Sequence, residues 1–113
     1  MSDERIFNVD LDDFDKRVIA GSHEQPILVD LWADWCPPCL VIGPVLESLV
    51  RESQSPLALA KVEVDEGDNM KIAGRYQARG FPTVLLFHQG ELKGRFHGAK
   101  PRSFVEQFIA QHL

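Results

Sequence analysis

The stretch that decides the fold of this chain is ILVDLWADWCPPC, residues 27–39. It begins with a nearly continuous apolar run, which is typical of a central strand covered on both faces. The only two cysteines of the chain, Cys36 and Cys39, follow this run and open a helical pattern. Two thiols at positions i and i+3 in the first turn of a helix are close enough to bond, and the positive helix end stabilises a thiolate on the first of them. The stretch therefore predicts a dithiol that can open and close as a disulfide.

Helix and strand patterns alternate on both sides of this stretch. Apolar residues recur at helical spacing from Pro37 to about Glu52, and Pro44 is expected to bend that helix. Further strands are predicted at residues 6–9, 57–64, 83–87 and 91–96, and further helices from Asp10 or Asp12 to Gly21, at 70–76 and at 102–113. A tight connection at residues 88–90 makes the last two strands antiparallel neighbours. The order βαβαβαββα predicts an α/β fold with a central mixed sheet between helices.

Size and composition are those of a globular protein. A length of 113 residues and a mass of 12.8 kDa predict one domain, residues 1–113, and we expect a monomer. No apolar run approaches the roughly 20 residues that cross a bilayer, so we predict no membrane association. The first residues lack the order of a secretory signal, so we expect a cytoplasmic location. In that reducing compartment a cysteine pair is expected to be catalytic rather than a structural clamp.

Charge argues against one class of partner. The net charge of −5 does not favour capture of nucleic acid by the whole surface. The charge is uneven, because residues 3–15 hold six acids and one base, whereas residues 93–102 hold four bases and no acid. Two solvated faces explain this distribution, and a docking patch for a partner is the alternative.

Two other interpretations of the cysteine pair are weaker. Inert buried thiols are disfavoured because the flanking prolines and tryptophan suit an exposed turn. A zinc site requires about four ligands. The other candidate ligands are four histidines without paired spacing, His23, His88, His97 and His112. We therefore predict no metal site and no cofactor.

Motifs along essentially the whole chain resemble the thioredoxin family. The matching segments are residues 29–36 with Cys39, Pro44, residues 61–65, residues 80–83, Gly90 and residues 98–99. The acid six residues before the first cysteine, the nearby tryptophans and the Phe-Pro-Thr segment make the match specific. The resemblance implies the thioredoxin fold, a three-layer α/β/α sandwich, and protein-disulfide reduction by dithiol–disulfide exchange.

The resemblance also implies roles for individual residues. Cys36 resembles an exposed nucleophile that attacks a partner's disulfide, and Cys39 resembles the resolving thiol that then attacks Cys36. Asp30 resembles the buried acid that helps to deprotonate the resolving thiol, with Lys61 as its neighbour. Pro82 resembles a cis-proline that faces the dithiol. A shallow groove for the partner's backbone is implied at Trp35, Pro37, Phe81, Pro82, Gly98 and Ala99.

The residues themselves leave alternatives at three of these places. An ionised Asp30 is costly in an apolar strand, so its pKa should rise towards the range of a proton shuttle, but a structural pair with Lys61 is the alternative. Residues 81–82 precede a strand, where either a cis bond or an ordinary trans proline fits. Trp35 is either a contact surface or a core residue, and Trp32 is the better core candidate because it ends the buried strand.

The chain departs from the commonest pattern of the family at the dithiol. Pro37 stands where glycine is common, so the amide of Cys39 is the nearest local donor to a Cys36 thiolate. Leu40 stands where lysine is frequent, and Asp34 adds a negative charge nearby. We expect a less stabilised thiolate, and a reduction potential that differs from that of a glycine-containing relative.

Two classes of function fit these observations. The first is a general disulfide reductase whose partners are protein disulfides and, as electron donor, a flavin-dependent thioredoxin reductase. The second is a thioredoxin-fold binding module or co-chaperone that holds partners on the groove, with redox chemistry secondary. We do not expect a dedicated oxidant or isomerase, because the sequence shows no export signal.

Overall fold

The computed structural model describes residues 4–113, which contain five strands and three α-helices. The strands are β1 (Ile6–Asn8), β2 (Ile27–Trp32), β3 (Ala58–Glu63), β4 (Thr83–His88) and β5 (Glu91–His97). The helices are α1 (Pro37–Glu52), α2 (Met70–Arg75) and α3 (Arg102–His112). None of the helices within residues 4–113 is long and apolar enough to cross a membrane.

The strands form one mixed sheet in the order β1-β3-β2-β4-β5. β3 pairs in parallel with both β1 and β2, whereas β4 pairs antiparallel with both β2 and β5. β2 occupies the centre because its apolar run is almost entirely buried between two neighbours and two covering layers. The predicted α/β class with a central mixed sheet is confirmed.

Two apolar clusters cover the sheet and give it three layers. Successive residues of a strand point to opposite faces, and accordingly Val29 and Leu31 lie in one cluster while Leu28 lies in the other. The first cluster includes both cysteines and residues of α2, and the second includes residues of α1 and α3. Alternation places Asp30 on the same face as Leu28, towards α1. The three-layer sandwich is therefore confirmed, and it sets a carboxyl group against the helix that begins at the dithiol.

β2 and α1 have the bounds that the sequence predicts. Both follow from local signals, the apolar run in the strand and the helical spacing after the two prolines. α1 continues through Pro44 to Glu52. The bend expected at this proline stays a prediction.

The segment between β1 and β2 differs from the predicted helix. It forms a π-helical segment, Asp15–Ala20, and then a 3-10 turn, Gly21–His23. The π-helical segment ends at Ala20 with Gly21 as its C-cap residue, as predicted, and Gly21, with a φ of −62°, then begins the 3-10 turn. No side-chain cap opens the π-helical segment, and the buried Phe14 immediately precedes it. Neither Asp10 nor Asp12 therefore caps this segment, and the fully buried Phe14 ring lies at its start.

The connection between β4 and β5 is one residue shorter than predicted, because His88 still belongs to β4. Gln89 and Gly90 have φ values of 57° and 81°. Positive φ at both central residues is the geometry of the two-residue hairpin turn that matches strand twist. The predicted antiparallel hairpin is confirmed.

Candidate active site

The dithiol lies where the central strand gives way to α1. Cys36 is the N-cap residue of this helix, with extended backbone angles, φ −106° and ψ 101°. Pro37 and Pro38 occupy the first helical positions, where a missing N–H leaves no helical hydrogen bond unmade. Cys36 and Cys39 are joined as a disulfide, with their Cα atoms 5.3 Å apart. The predicted pairing of the two cysteines is therefore present.

Two backbone groups contact the sulfur of Cys36. The amide N–H of Cys39 donates to this sulfur over 3.3 Å, which confirms the donor expected from the sequence. The carbonyl oxygen of Phe81 lies 3.4 Å from the same sulfur. The two intervening prolines have no N–H to offer. A thiolate at this position would therefore gain from the helix end and the Cys39 amide.

Both cysteines are buried, which corrects the expectation of an exposed nucleophile. Cys36 exposes 4% of its surface and Cys39 exposes 2%. Both belong to the apolar cluster on one face of the sheet, and the loop carrying Phe81 lies against Cys36. A turn with exposed prolines thus directs both of its sulfur atoms inwards.

The residues assigned to a partner groove meet around the disulfide. Trp35 is 63% exposed, and its ring lies edge-on to that of Phe81 with centroids 6.4 Å apart. The Phe81-Pro82 peptide bond is cis, as the resemblance implies. The Gly98 amide donates to the Pro82 carbonyl over 3.0 Å, and its φ of +91° favours glycine. These contacts bring three separate chain segments to one rim.

The other groove residues differ in exposure. Pro37 and Ala99 are exposed, whereas Pro82, the residue before β4, is buried. The indole N–H of Trp35 donates to the carboxylate of Asp65, a partner that the sequence did not identify. Trp32 packs against the apolar cluster, as expected of the core candidate. Trp35 therefore belongs to the surface and Trp32 to the interior.

Asp30 is a buried acid with an unsatisfied oxygen. It exposes 1% of its surface, and within residues 4–113 its Oδ1 atom has no hydrogen-bond partner. Burial is the main cause that raises its pKa from 3.8 to about 7; Lys61 lowers the pKa and Glu47 raises it. A carboxyl group with a pKa near neutrality can accept and return a proton at physiological pH.

Lys61 lies opposite Asp30 in the register of β2 and β3 but pairs with a different carboxylate. Its ammonium nitrogen lies 3.1 Å from Oε2 of Glu47. The alternative of a satisfied Asp30–Lys61 pair is therefore not what the structure contains. The lysine thus pairs with the partly buried Glu47 and is the register neighbour of the buried Asp30.

Glu47 is a site residue that the sequence reasoning missed. It lines a cavity of about 230 Å³ with Asp30, Cys39 and Lys61. The signal that could have found it is spacing, since Cys39, Gly43 and Glu47 recur every four residues on α1 and share one helix face. An acid on the same helix face as the second cysteine, two turns further along, is the local signal that identifies Glu47 as a site residue.

Metal-ligand geometry is not found in the part of the chain that the structure describes. Across residues 4–113 there is no group of three or more His, Cys, Asp or Glu side chains placed to hold a metal ion. The groups gathered at the site are instead a disulfide, a carboxyl group with a raised pKa and an ion pair.

Comparisons with known proteins agree with this geometry. The Thioredoxin family model matches residues 5–111. The thioredoxin of Acidithiobacillus ferridurans is 38% identical over 113 residues, covering 100% of each chain. That of Pseudomonas aeruginosa is 37% identical over 110 residues, covering 97% of this chain and 98% of the relative. That of Bacillus subtilis is 37% identical over 99 residues, covering 88% and 93%. The chain therefore belongs to the thioredoxin family, and it is a thiol-disulfide oxidoreductase that works by dithiol–disulfide exchange through its cysteine pair.

Proposed function

We propose that the protein is a general reductant of protein disulfides, with Cys36 as the nucleophile and Cys39 as the resolving thiol. The observation that carries this proposal is the position of Cys36, whose sulfur caps α1 and is within bonding reach of Cys39. In the reduced protein, the helix end and the Cys39 amide favour the Cys36 thiolate over the Cys39 thiolate, because Cys39 lies inside the helix.

The exchange takes place in two steps. The Cys36 thiolate attacks one sulfur of a partner disulfide, and the other partner sulfur leaves as a thiolate that takes a proton from water. The thiol of Cys39 then gives its proton to the Asp30 carboxylate and attacks the sulfur of Cys36. This step breaks the mixed disulfide, releases the second partner thiolate and leaves the Cys36–Cys39 disulfide. Two electrons pass from the dithiol to the partner.

Asp30 is the proton acceptor of the second step in this proposal. Its raised pKa, its burial and its place with Cys39 on one cavity support that role. Lys61 stabilises the carboxylate form of Asp30, because its positive charge favours the ionised acid. Neither side chain forms a bond to sulfur.

The partner's backbone binds along the rim formed by three chain segments. The exposed faces of Trp35, Pro37 and Ala99 flank the loop of residues 81–82 and Gly98. An extended peptide gains most from such a rim when its backbone pairs with free amide and carbonyl groups. Protein disulfides in exposed, flexible segments are therefore the substrates that we assign.

Four further assignments remain predictions. The electron donor is a flavin-dependent thioredoxin reductase, the protein acts as a monomer, it forms one domain over residues 1–113, and it works in the cytoplasm. Each depends on family membership or on sequence composition rather than on the geometry of the site.

Reduction of insulin disulfides tests the proposed function. Cys36→Ser should lower turnover to the background rate, because the variant lacks the attacking sulfur. Cys39→Ser should instead accumulate a mixed disulfide that mass spectrometry detects, since Cys36 is then the only thiol in the chain. A partner that binds Cys36→Ser as tightly as wild type, with wild-type insulin turnover absent, would favour the binding module or co-chaperone.

The two prolines between the cysteines are proposed to set the reduction potential. Pro37→Gly restores an N–H beside the Cys36 sulfur and should stabilise the thiolate. We expect the Cys36–Cys39 potential of this variant to differ from that of wild type when each is equilibrated with glutathione. Identical potentials would contradict the idea.

A further inference from the structure

We propose that Glu47 is a positioning residue for the resolving step, because its carboxylate holds the Lys61 ammonium and keeps it from pairing with Asp30. The inference rests on the proposed role of Asp30 as the proton acceptor. It assigns a task to a side chain that touches neither sulfur.

Glu47 is fixed at both of its oxygens. Oε1 lies 3.1 Å from a guanidinium nitrogen of Arg51, one helical turn further along α1. Oε2 lies 3.1 Å from the ammonium of Lys61 on β3. The side chains of Glu47 and Lys61 are each only 23% exposed, so water screens their attraction less than that of a surface pair. The ion pair therefore has one preferred geometry.

Lys61 is the cation best placed to pair with Asp30 if Glu47 released it. The two residues are register partners on adjacent strands, and they line the same cavity. Oδ1 of Asp30 is a buried acceptor without a donor in the described part of the chain, and a buried acceptor gains most from a new partner. The Lys61 ammonium also lies 5.3 Å from the centre of the Trp32 ring. This cation–π contact helps to keep the ammonium away from Oδ1 of Asp30.

The charges around Asp30 come from two elements. Lys61 projects from β3 and Glu47 from α1, and among the described residues that line the cavity the one other group that can titrate is the Cys39 thiol of the reduced protein. On the other side β4 offers the apolar Val84 opposite Asp30. Arg51 binds the outer oxygen of Glu47. The charged groups that act on the pKa of Asp30 are therefore one lysine, which lowers it, and one glutamate, which raises it.

Removing the Glu47 charge should change the proton affinity of Asp30 in a definite direction. Glu47 raises the pKa of Asp30 and Lys61 lowers it. Without the glutamate charge, the lysine acts unopposed and can approach Oδ1, so Asp30 should ionise at lower pH. A carboxylate with lower proton affinity is a weaker acceptor for the Cys39 proton at neutral pH.

The test is Glu47→Gln in the full chain, with Glu52→Gln as the matched control on the same helix. Carbon-13 labelling of aspartate carboxyl groups lets NMR follow the titration of Asp30 in the oxidised protein. We expect Glu47→Gln to lower the Asp30 midpoint by about one pH unit. Glu47→Asp, which keeps the charge, should lower it less, and Glu52→Gln should leave it unchanged.

A kinetic measurement completes the test. The acid limb of the pH profile for insulin reduction should move to lower pH in Glu47→Gln by the same amount as the NMR midpoint. An unchanged Asp30 midpoint in a Glu47→Gln protein that melts like wild type would overturn the inference, while wild-type reduction of insulin would leave the proposed function standing. Absence of insulin reduction by wild type would defeat the proposed function instead.

Discussion

Two carboxyl groups near the two ends of α1, Asp30 of β2 and Glu52 of the helix itself, have pKa values that shift in opposite directions. Near the start of the helix, Asp30 is buried, has an oxygen without a hydrogen-bond partner among residues 4–113, and has a pKa raised to about 7. At the other end, Glu52 is exposed and accepts hydrogen bonds from Ser48 over 2.6 Å and from Arg102 over 3.2 Å. The Ser48 hydrogen bond, followed by the charge of Arg102, lowers the pKa of Glu52 below its usual 4.5.

The comparison shows that access to water and to hydrogen-bond donors, rather than the presence of a cation, decides whether the pKa of a carboxyl group rises or falls in this fold. Each acid has a cation nearby, Lys61 in one place and Arg102 in the other. Only Glu52 is hydrogen-bonded to its cation and fully solvated, so it is a surface ion pair of small consequence. Asp30 is desolvated and keeps a proton until near neutral pH, which suits it to chemistry at the cost of stability.

Asp30→Asn tests the buried end and should have the largest effect on stability. Because the folded pKa of Asp30 is raised, its contribution to stability is full below pH 3.8 and is lost as the pH rises to about 7. The stability of wild type relative to Asp30→Asn should therefore fall by about 1.4 kcal/mol per pH unit across that window. Urea unfolding of the oxidised proteins at several pH values measures this difference. A constant difference from pH 4 to 8 would mean that Asp30 ionises normally.

Lys61→Met should change the pH dependence of stability in the same region as Asp30→Asn, but by a smaller amount. Lys61 lowers the pKa of Asp30, so its removal should raise that pKa further, by about one unit. The pH-dependent loss of stability should then continue to higher pH than in wild type. Urea unfolding above neutral pH detects the change, and a double variant with Asp30→Asn is the control, because it should not show the change. Loss of stability at the same pH in Lys61→Met and wild type would show that the lysine does not act on Asp30.

The sequence predicts the elements that depend on local signals. The bounds of β2 and α1 match, because an apolar run and a helical repeat identify them without any distant contact. The burial of Asp30 also follows locally, since neighbours on both sides of it along the strand are apolar. The cysteine pair is predicted for the same reason.

Features that depend on tertiary packing escape the sequence. Phe14 packs against Tyr76 and Phe87, with ring centroids 5.9 Å and 6.0 Å away, and these contacts from distant segments accompany the π-helical segment. The burial of Cys36 depends on the loop of Phe81, 45 residues further along the chain. Neither position contains a local pattern that indicates its partner.

Pairing of Glu47 with Lys61 belongs to the same class. A glutamate on a helix and a lysine on a strand are both ordinary surface residues in the sequence. Their pairing requires the crossing of α1 over β3, which brings residues 14 positions apart to 3.1 Å. The helical spacing from Cys39 predicts which face of α1 Glu47 lies on, but not that Lys61 is its partner. The sequence therefore predicts the dithiol but not the ion pair that acts on the pKa of Asp30.

Glu52→Gln tests the exposed end and should have the smallest effect. Because the folded pKa of Glu52 is lowered, its contribution is present above pH 4.5 and is lost as the pH falls through the folded value, which is the opposite sign to Asp30. The Arg102 guanidinium keeps a second partner in Glu106, so loss of one charge leaves no buried group unpaired. Melting at pH 7 in low and high salt should give nearly equal Tm values for wild type and variant, with any difference disappearing in high salt. If Glu52→Gln lowered Tm as much in high salt as in low salt, the exposed end would hold a desolvated interaction, and solvation would no longer separate the two ends of α1.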